Sequence, residues 1–352
     1  LSLTTVVAAI FIVIGAFLTS GSYEVRATDY KDVVDSISAT RISTNIQALQ
    51  DFGSREFHLN NSDDIALYIQ SQFESAGIET ELQKFEVGGT NVSNVIAILP
   101  GEDEQAGAIL IGAHYDSENK YASNLSEAEN LTAPGADDDA SGVAAVIEMA
   151  YALSGTRFEQ TIKFVAFAAE EYGFDDSGGL AGSRYFATKE KGAGVNYTAV
   201  AIIDMIGYSL SGDSKAFVIT DSEGSSFAEA IIDAVSEYDL DLNLTLLVDS
   251  GIRYSDHLSF WNNGYPGLLV IEEIDQYRKF PVNPFYHGSG DLLERLSIPQ
   301  ITEVSKAILG GVIALLTPEE GLSALTVGAI IVIVALAAVA LVYYLHKRRK
   351  LV

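Results

Sequence analysis

Residues 108–116 read AILIGAHYD. An unbroken apolar run suits a strand buried on both faces, because a half-exposed strand would alternate polar and apolar positions. The run ends on His114, with Asp116 two residues on. Two further strand-like runs end in the same way: the β-rich Thr161–Ala168 runs into Glu170 and Glu171, and the apolar Ala199–Ile203 runs into Asp204. Between and around these runs lie helical patterns at Ile42–Phe52, Asp64–Ala76, Ala140–Leu153, Phe227–Tyr238 and Ile301–Leu316. Asn61 or Ser62 suits the N-cap of the second, and Gly77 its stop. Glu79–Val87 and Val92–Leu99 alternate like a hairpin or edge pair, Ala216–Thr220 and Leu268–Glu272 read as further strands, and the polar stretch Ser117–Thr132 reads as a loop. Continuous apolar strands alternating with helices predict an α/β fold: a mixed, mostly parallel sheet covered by helices on both faces, in one domain over residues 34–316.

Polar chemistry gathers where those strands end, the edge at which open α/β sheets bind their ligands. Between the first two ends sits PGADDDASG, residues 134–142, directly before a helix. Three aspartates there have an ordinary use in capping the helix and offsetting its dipole. Their convergence with His114, Glu170, Glu171 and Asp204 on one edge favours a metal instead. Of the five histidines, His346 belongs to a basic tail and His58 to a polar connection, and neither is assigned a role. His257 lies in SDH (255–257), and His287 in NPFYHGSGD (283–291). Imidazole mixed with carboxylate favours zinc or cobalt over magnesium or calcium.

Charge and the chain ends limit the setting. The 352 residues carry 21 Lys+Arg against 48 Asp+Glu, a formal charge of −27, which argues against a nucleic-acid partner. There is no cysteine, so disulfides, thiolate metal sites and cysteine nucleophiles are excluded. Val6–Leu18 has the length of a signal-peptide core, and residues 1–20 are expected to be a signal peptide or signal-anchor, with a linker at 21–33. Residues 322–345 are 24 uncharged, mostly apolar residues, enough for a tilted transmembrane helix. A linker at 317–321 would precede it. Lys347, Arg348, Arg349 and Lys350 follow, so the tail 346–352 is expected in the cytoplasm and the domain outside the cell membrane. The remaining 17 basic residues then share the outer part with all 48 acidic ones. Asn60, Asn91, Asn124, Asn130, Asn196 and Asn243 each open an N-x-S/T triplet in that part, which suggests a glycoprotein.

The ordered set H-x-D, G-A-D-D-D-x-S-G, E-E, D-M, S-D-H and N-P-x-Y-H resembles the zinc exopeptidase family that includes bacterial leucine aminopeptidase, vacuolar aminopeptidase Y, glutamate carboxypeptidase and the glutaminyl cyclases. The resemblance spans Asp35–Leu316. It implies two zinc ions per chain, one held by His114 and Asp204, the other by Glu171 and His287, with Asp138 bridging both. It makes Glu170 the general base and Asp116 the carboxylate behind His114. Tyr254, Asp256 and His257 are candidate substrate or oxyanion contacts, although Tyr254 lies closer to the S-D-H motif than the tyrosine of bacterial relatives. Arg253 beside it is a candidate for a substrate carboxylate or for a surface ion pair. The implied activity is a metallopeptidase acting on peptide substrates, foremost an aminopeptidase. A carboxypeptidase or dipeptidase of the same family, a single-zinc glutaminyl cyclase-like acyltransferase and a non-catalytic receptor domain are the alternatives. The five intact ligand positions favour the two-zinc reading. The excess of acid favours a substrate's free α-amine over its C-terminal carboxylate.

Overall fold

The computed structural model describes residues 26–173, 177–275, 278 and 280–317. The expected signal, membrane-spanning and tail segments lie outside the described residues. In chain order the elements are α1 (Arg26–Asp35), α2 (Ala39–Asp51), α3 (Ser62–Ser75), β1 (Glu79–Val87), β2 (Thr90–Leu99), β3 (Ala108–His114), α4 (Leu125–Asn130), α5 (Ala140–Leu153), β4 (Thr161–Phe167), α6 (Ala181–Ala193), β5 (Tyr197–Ile203), β6 (Lys215–Thr220), α7 (Ser225–Glu237), β7 (Asn243–Val248), α8 (His257–Asn262), β8 (Gly267–Ile271), β9 (Ile274–Asp275), β10 (Phe280–Pro281), a 3₁₀ turn (Leu293–Arg295) and α9 (Ile298–Leu316).

Eight strands form one sheet in the order β1-β2-β4-β3-β5-β8-β6-β7. The middle four, β4, β3, β5 and β8, are parallel, while β2 joins β4 and β6 joins β8 antiparallel. The parallel block aligns the carboxyl ends of β3, β4 and β5, with His114 opposite Phe167 in register. Alternate strand residues feed two cores. Ile109, Ile111, Phe164, Ala201 and Val270 pack beneath α2, α3, α5, α7 and α9 on one face. Leu110, Val165, Phe167, Val200 and Leu269 pack against Phe186 of α6 and Phe260 of α8 on the other. Burial of both faces is why the middle strands are mostly apolar; the exception inside β4, Lys163, is paired with Glu190.

Differences from the sequence expectation occur where burial is one-sided. The stretch read as a linker is helical from Arg26, and Tyr30 of α1 stacks on Phe158. The loop 117–132 contains α4, capped by Asn124. Helix α6, sequence AGSRYFATKEKGA, gives little apolar periodicity, yet it buries Phe186 and Ala187. Edge strand β7 is only partly buried. Among the described residues one helix, α9, is long and apolar enough to cross a membrane, but two-thirds of its apolar window is buried. It closes this domain's core.

Candidate active site

The three consecutive aspartates have three separate jobs. Asp139 caps α5, its Oδ1 accepting from Gly142 N at 2.8 Å and from Met205 N at 3.2 Å. A side chain at Gly142 would strike that carboxylate and the Ile203 carbonyl, so only glycine lets α5 begin this close to β5. Asp137 points to the neighbouring loops, accepting from Gly207 N and Asn283 Nδ2, both at 2.8 Å. Asp138 remains, and it faces the strand ends. Two buried groups hold this loop in place. Asp291 accepts the amides of Asp137 and Asp138 at 2.9 and 3.1 Å. Arg55, almost wholly buried, donates to the carbonyls of Tyr115 (2.7 Å), Pro134 and Gly135 (2.8 Å). Neither residue was given a role from the sequence, although Asp291 closes the stretch that carries His287. A buried arginine or aspartate distant along the chain has no local pattern.

Around Asp138 the structure gathers His114, Glu170, Glu171, Asp204 and His287, which with Met205, Tyr254, Ile271, Pro281 and Tyr286 line a cleft of about 260 Å³. His114 Nε2 lies 3.2 Å from Asp138 Oδ1 and 3.7 Å from Asp204 Oδ1. His287 Nε2 lies 3.1 Å from Asp138 Oδ2 and 3.0 Å from Glu171 Oε1. Each Asp138 oxygen therefore serves a different histidine. Buried Asp138 Oδ2 and Glu171 Oε1 accept no well-formed hydrogen bond. A buried carboxylate oxygen is costly without a donor or a cation. Carboxylate and imidazole atoms come within 4.8 Å of one another in three overlapping groups: His114, Asp138 and Glu171; His114, Asp139 and Asp204; Glu118, Glu171 and His287. This donor set suits zinc.

Proton affinities follow from burial and crowding. Burial, then Glu171 and other nearby carboxylates, raises Glu170 well above the usual carboxylate range, despite the opposing charge of His114. Burial with Asp138 and Glu118 pushes Glu171 to about 8. Burial disfavours charge on His114 and His287, but Glu170 beside the first and Glu171 beside the second outweigh it and raise both. Without a cation the site retains protons that a divalent metal would displace.

Several sequence expectations change in detail. Asp116 does lie behind His114, but 3.6 Å from Nδ1, too far for a hydrogen bond. Its oxygens accept the amides of Glu170 and Glu171 at 3.0 and 3.1 Å, so it fixes the end of β4. The corresponding partner of His287 is Glu118, missed in the sequence, with Oε1 at 3.0 Å from Nδ1 and Oε2 accepting Gly173 N. Tyr254 reaches the cleft, as does Tyr286, which stacks on His287. Asp256 and His257 do not line it. Both are fully buried; the His257 ring packs edge-on against Trp261, its Nε2 is 3.2 Å from the Ile252 carbonyl, and burial lowers its pKa to about 4. Arg253 lies over the Trp261 ring.

Comparison with known proteins agrees with this geometry. A family profile, Peptidase family M28, matches residues 94–312. A probable leucine aminopeptidase of Trichophyton verrucosum is 26% identical over 291 residues, which cover 79% of this chain and 73% of that protein. In fold, the chain is similar to the Legionella pneumophila LapA aminopeptidase (TM-score 0.68, 23% identity, 86% of this chain and 76% of that one). It is also similar to Bacteroides thetaiotaomicron glutaminyl cyclase (TM-score 0.64, 20% identity, 81% and 99%). The span of the family match includes four of the strands that present the cleft residues, as well as His287, and on that basis the chain belongs to peptidase family M28 and is a zinc metallopeptidase.

Proposed function

We propose that the protein is a membrane-anchored, extracytoplasmic two-zinc aminopeptidase. The observation that carries the two-metal reading is Asp138, whose two oxygens face two different histidines. His114 and Asp204 would hold one zinc, Glu171 and His287 the other, and Asp138 both. Bound there, zinc supplies a Lewis acid for the scissile carbonyl and lowers the pKa of water toward 7. Glu170 is the cleft carboxylate left over by this ligand set. Its raised proton affinity suits it to take a proton from the attacking water and return it to the leaving amine. Tyr254 stands at the cleft wall, and its phenol, protonated at neutral pH, can donate to an oxygen that gains charge. Met205, Ile271, Pro281 and Tyr286 form an apolar side suited to a hydrophobic N-terminal residue. The acidic cleft favours the free ammonium of a peptide.

The anchor reading rests on residues 322–345 and the basic group that follows. Three measurements test the whole proposal. Metal-replete protein should contain two zinc ions per chain; a content of one would overturn the shared-carboxylate site. Free-amine peptides should be hydrolysed and their N-acetylated forms left intact; equal hydrolysis of both would remove the aminopeptidase assignment. Surface proteolysis of intact cells should release the domain.

A further inference from the structure

The six N-x-S/T asparagines are set apart from the other seven by the fold. Asn60, Asn91, Asn124, Asn130, Asn196 and Asn243 are all exposed; of the rest, Asn262 alone is. Their bonding also differs from that of the four buried asparagines, although Asn263 bonds only one helical turn back, to the Ser259 carbonyl. Asn45 accepts from Tyr68 Oη, Asn94 links Gln83 to Gly182 and Ala168, Asn119 donates to the Thr132 carbonyl, and Asn283 binds Asp137. The side chain of Asn124 bonds only within its own cap, through Oδ1 to Glu127 N, and that of Asn130 only one helical turn back, to the Ser126 carbonyl. The other four triplet asparagines make no side-chain hydrogen bond to another element among the described residues. A generally polar surface does not explain this division, because Ser62 and Ser93, the third residues of two triplets, are buried while their asparagines are not.

We propose that these six asparagines are N-glycan acceptors; the inference rests on the extracytoplasmic placement proposed above. The donor class is an oligosaccharide on a polyprenyl phosphate or pyrophosphate. Asparagine Nδ2 bonds to the anomeric carbon of the first sugar, the carbon–oxygen bond to phosphate breaks, and one Nδ2 proton leaves to the transferase. The remaining N–H and the amide oxygen are kept, so the Asn124 cap survives modification. The acceptors occur toward both ends of the central strands. Asn196 precedes β5 at its amino end, whereas Asn243 opens β7, which runs opposite to β5 and β8, and so lies level with the carboxyl end of β8; Asn124 and Asn130 bracket α4, in the connection that carries Glu118. None of the six lines the cleft.

The test is peptide mass mapping of the full chain purified from membranes of its native cells, alongside surface proteolysis of the same cells. Sugar-bearing peptides are expected at four or more of the six sites and absent at Asn262. Each Asn→Gln change at an occupied site should remove one glycan's mass and leave kcat/KM within about twofold. Three or fewer occupied sites would overturn the assignment. A domain cleaved from outside yet bare of sugar sinks the glycan proposal alone, whereas a protected domain sinks the placement with it.

Discussion

The two halves of the proposed metal site offer similar donors on different foundations. His114 is the last residue of β3, hydrogen-bonded between β4 and β5, and its side chain is 2% exposed. His287 sits in a loop at φ 52°, with a side chain 12% exposed. Strand pairing places the first half. A few isolated contacts place the second: the Glu118 side chain spans His287 and Gly173, and a single backbone bond runs from Lys120 N to the His287 carbonyl at 3.2 Å. A ladder position is secured by many backbone bonds at once, whereas a loop position depends on a few replaceable contacts. The second half should therefore lose its metal first when its support is cut.

Removing what the halves share should have the largest effect. Asp138→Asn is expected to deplete both metals and lower kcat/KM by more than ~10³-fold, the several kcal/mol that metal-assisted charge stabilisation supplies. Retention of two zinc ions would show that Asp138 is not shared. Next, Glu170→Gln should keep both metals and lose at least ~10²-fold in kcat, the scale of a positioned acid–base. Near-normal turnover would take Glu170 out of the mechanism.

A paired substitution sharpens the contrast between the halves. Glu118→Gln should weaken zinc at the His287 half by about 10- to 100-fold, as loss of an outer partner does, leaving one ion per chain in limiting chelator. Asp116→Asn should instead lower the unfolding free energy by ~1–3 kcal/mol through a disturbed buried amide pair. Equal metal loss in both variants would erase the proposed difference in foundation.

The smallest effect is on stability against pH. Glu171 is raised to about 8 and Asp256 to about 7, both above their unfolded values, and His114 and His287 are raised above 6.5. Between pH 6.5 and 8 the folded, metal-free protein therefore binds more protons than the unfolded chain, and its stability falls as pH rises. His257 opposes this only below pH 6.5, since its folded value is about 4. Thermal melts of stripped protein should show Tm lower at pH 8 than at 6.5, with added zinc restoring more at pH 8. A pH-independent zinc increment would contradict the retained protons.

The sequence was legible where geometry is local. Runs buried on both faces showed β3, β4 and β5, and with them His114, Glu170, Glu171 and Asp204 at one edge. His287 and Asp138 came through the ordered motif set, which resembled a known family. Helix α6 was missed because its buried residues follow no clear stripe, and β7 because an edge strand is half wet.

The amino-acid order alone thus determined which residue types end each buried strand, because apolar continuity and its interruption are properties of neighbours in the chain. It also determined the triplets that could accept sugar. Tertiary structure decided which aspartate of the three faces the cleft, since Gly207, Asn283, Gly142 and Met205 engage Asp137 and Asp139 from distant segments. It decided that Asp116 grips two amides while Glu118 supports His287, that Tyr254 reaches the cleft while Asp256 and His257 do not, and which asparagines are free of the core. Those outcomes depend on which groups satisfy one another once water is excluded, and such pairings join residues that have no fixed spacing in the chain.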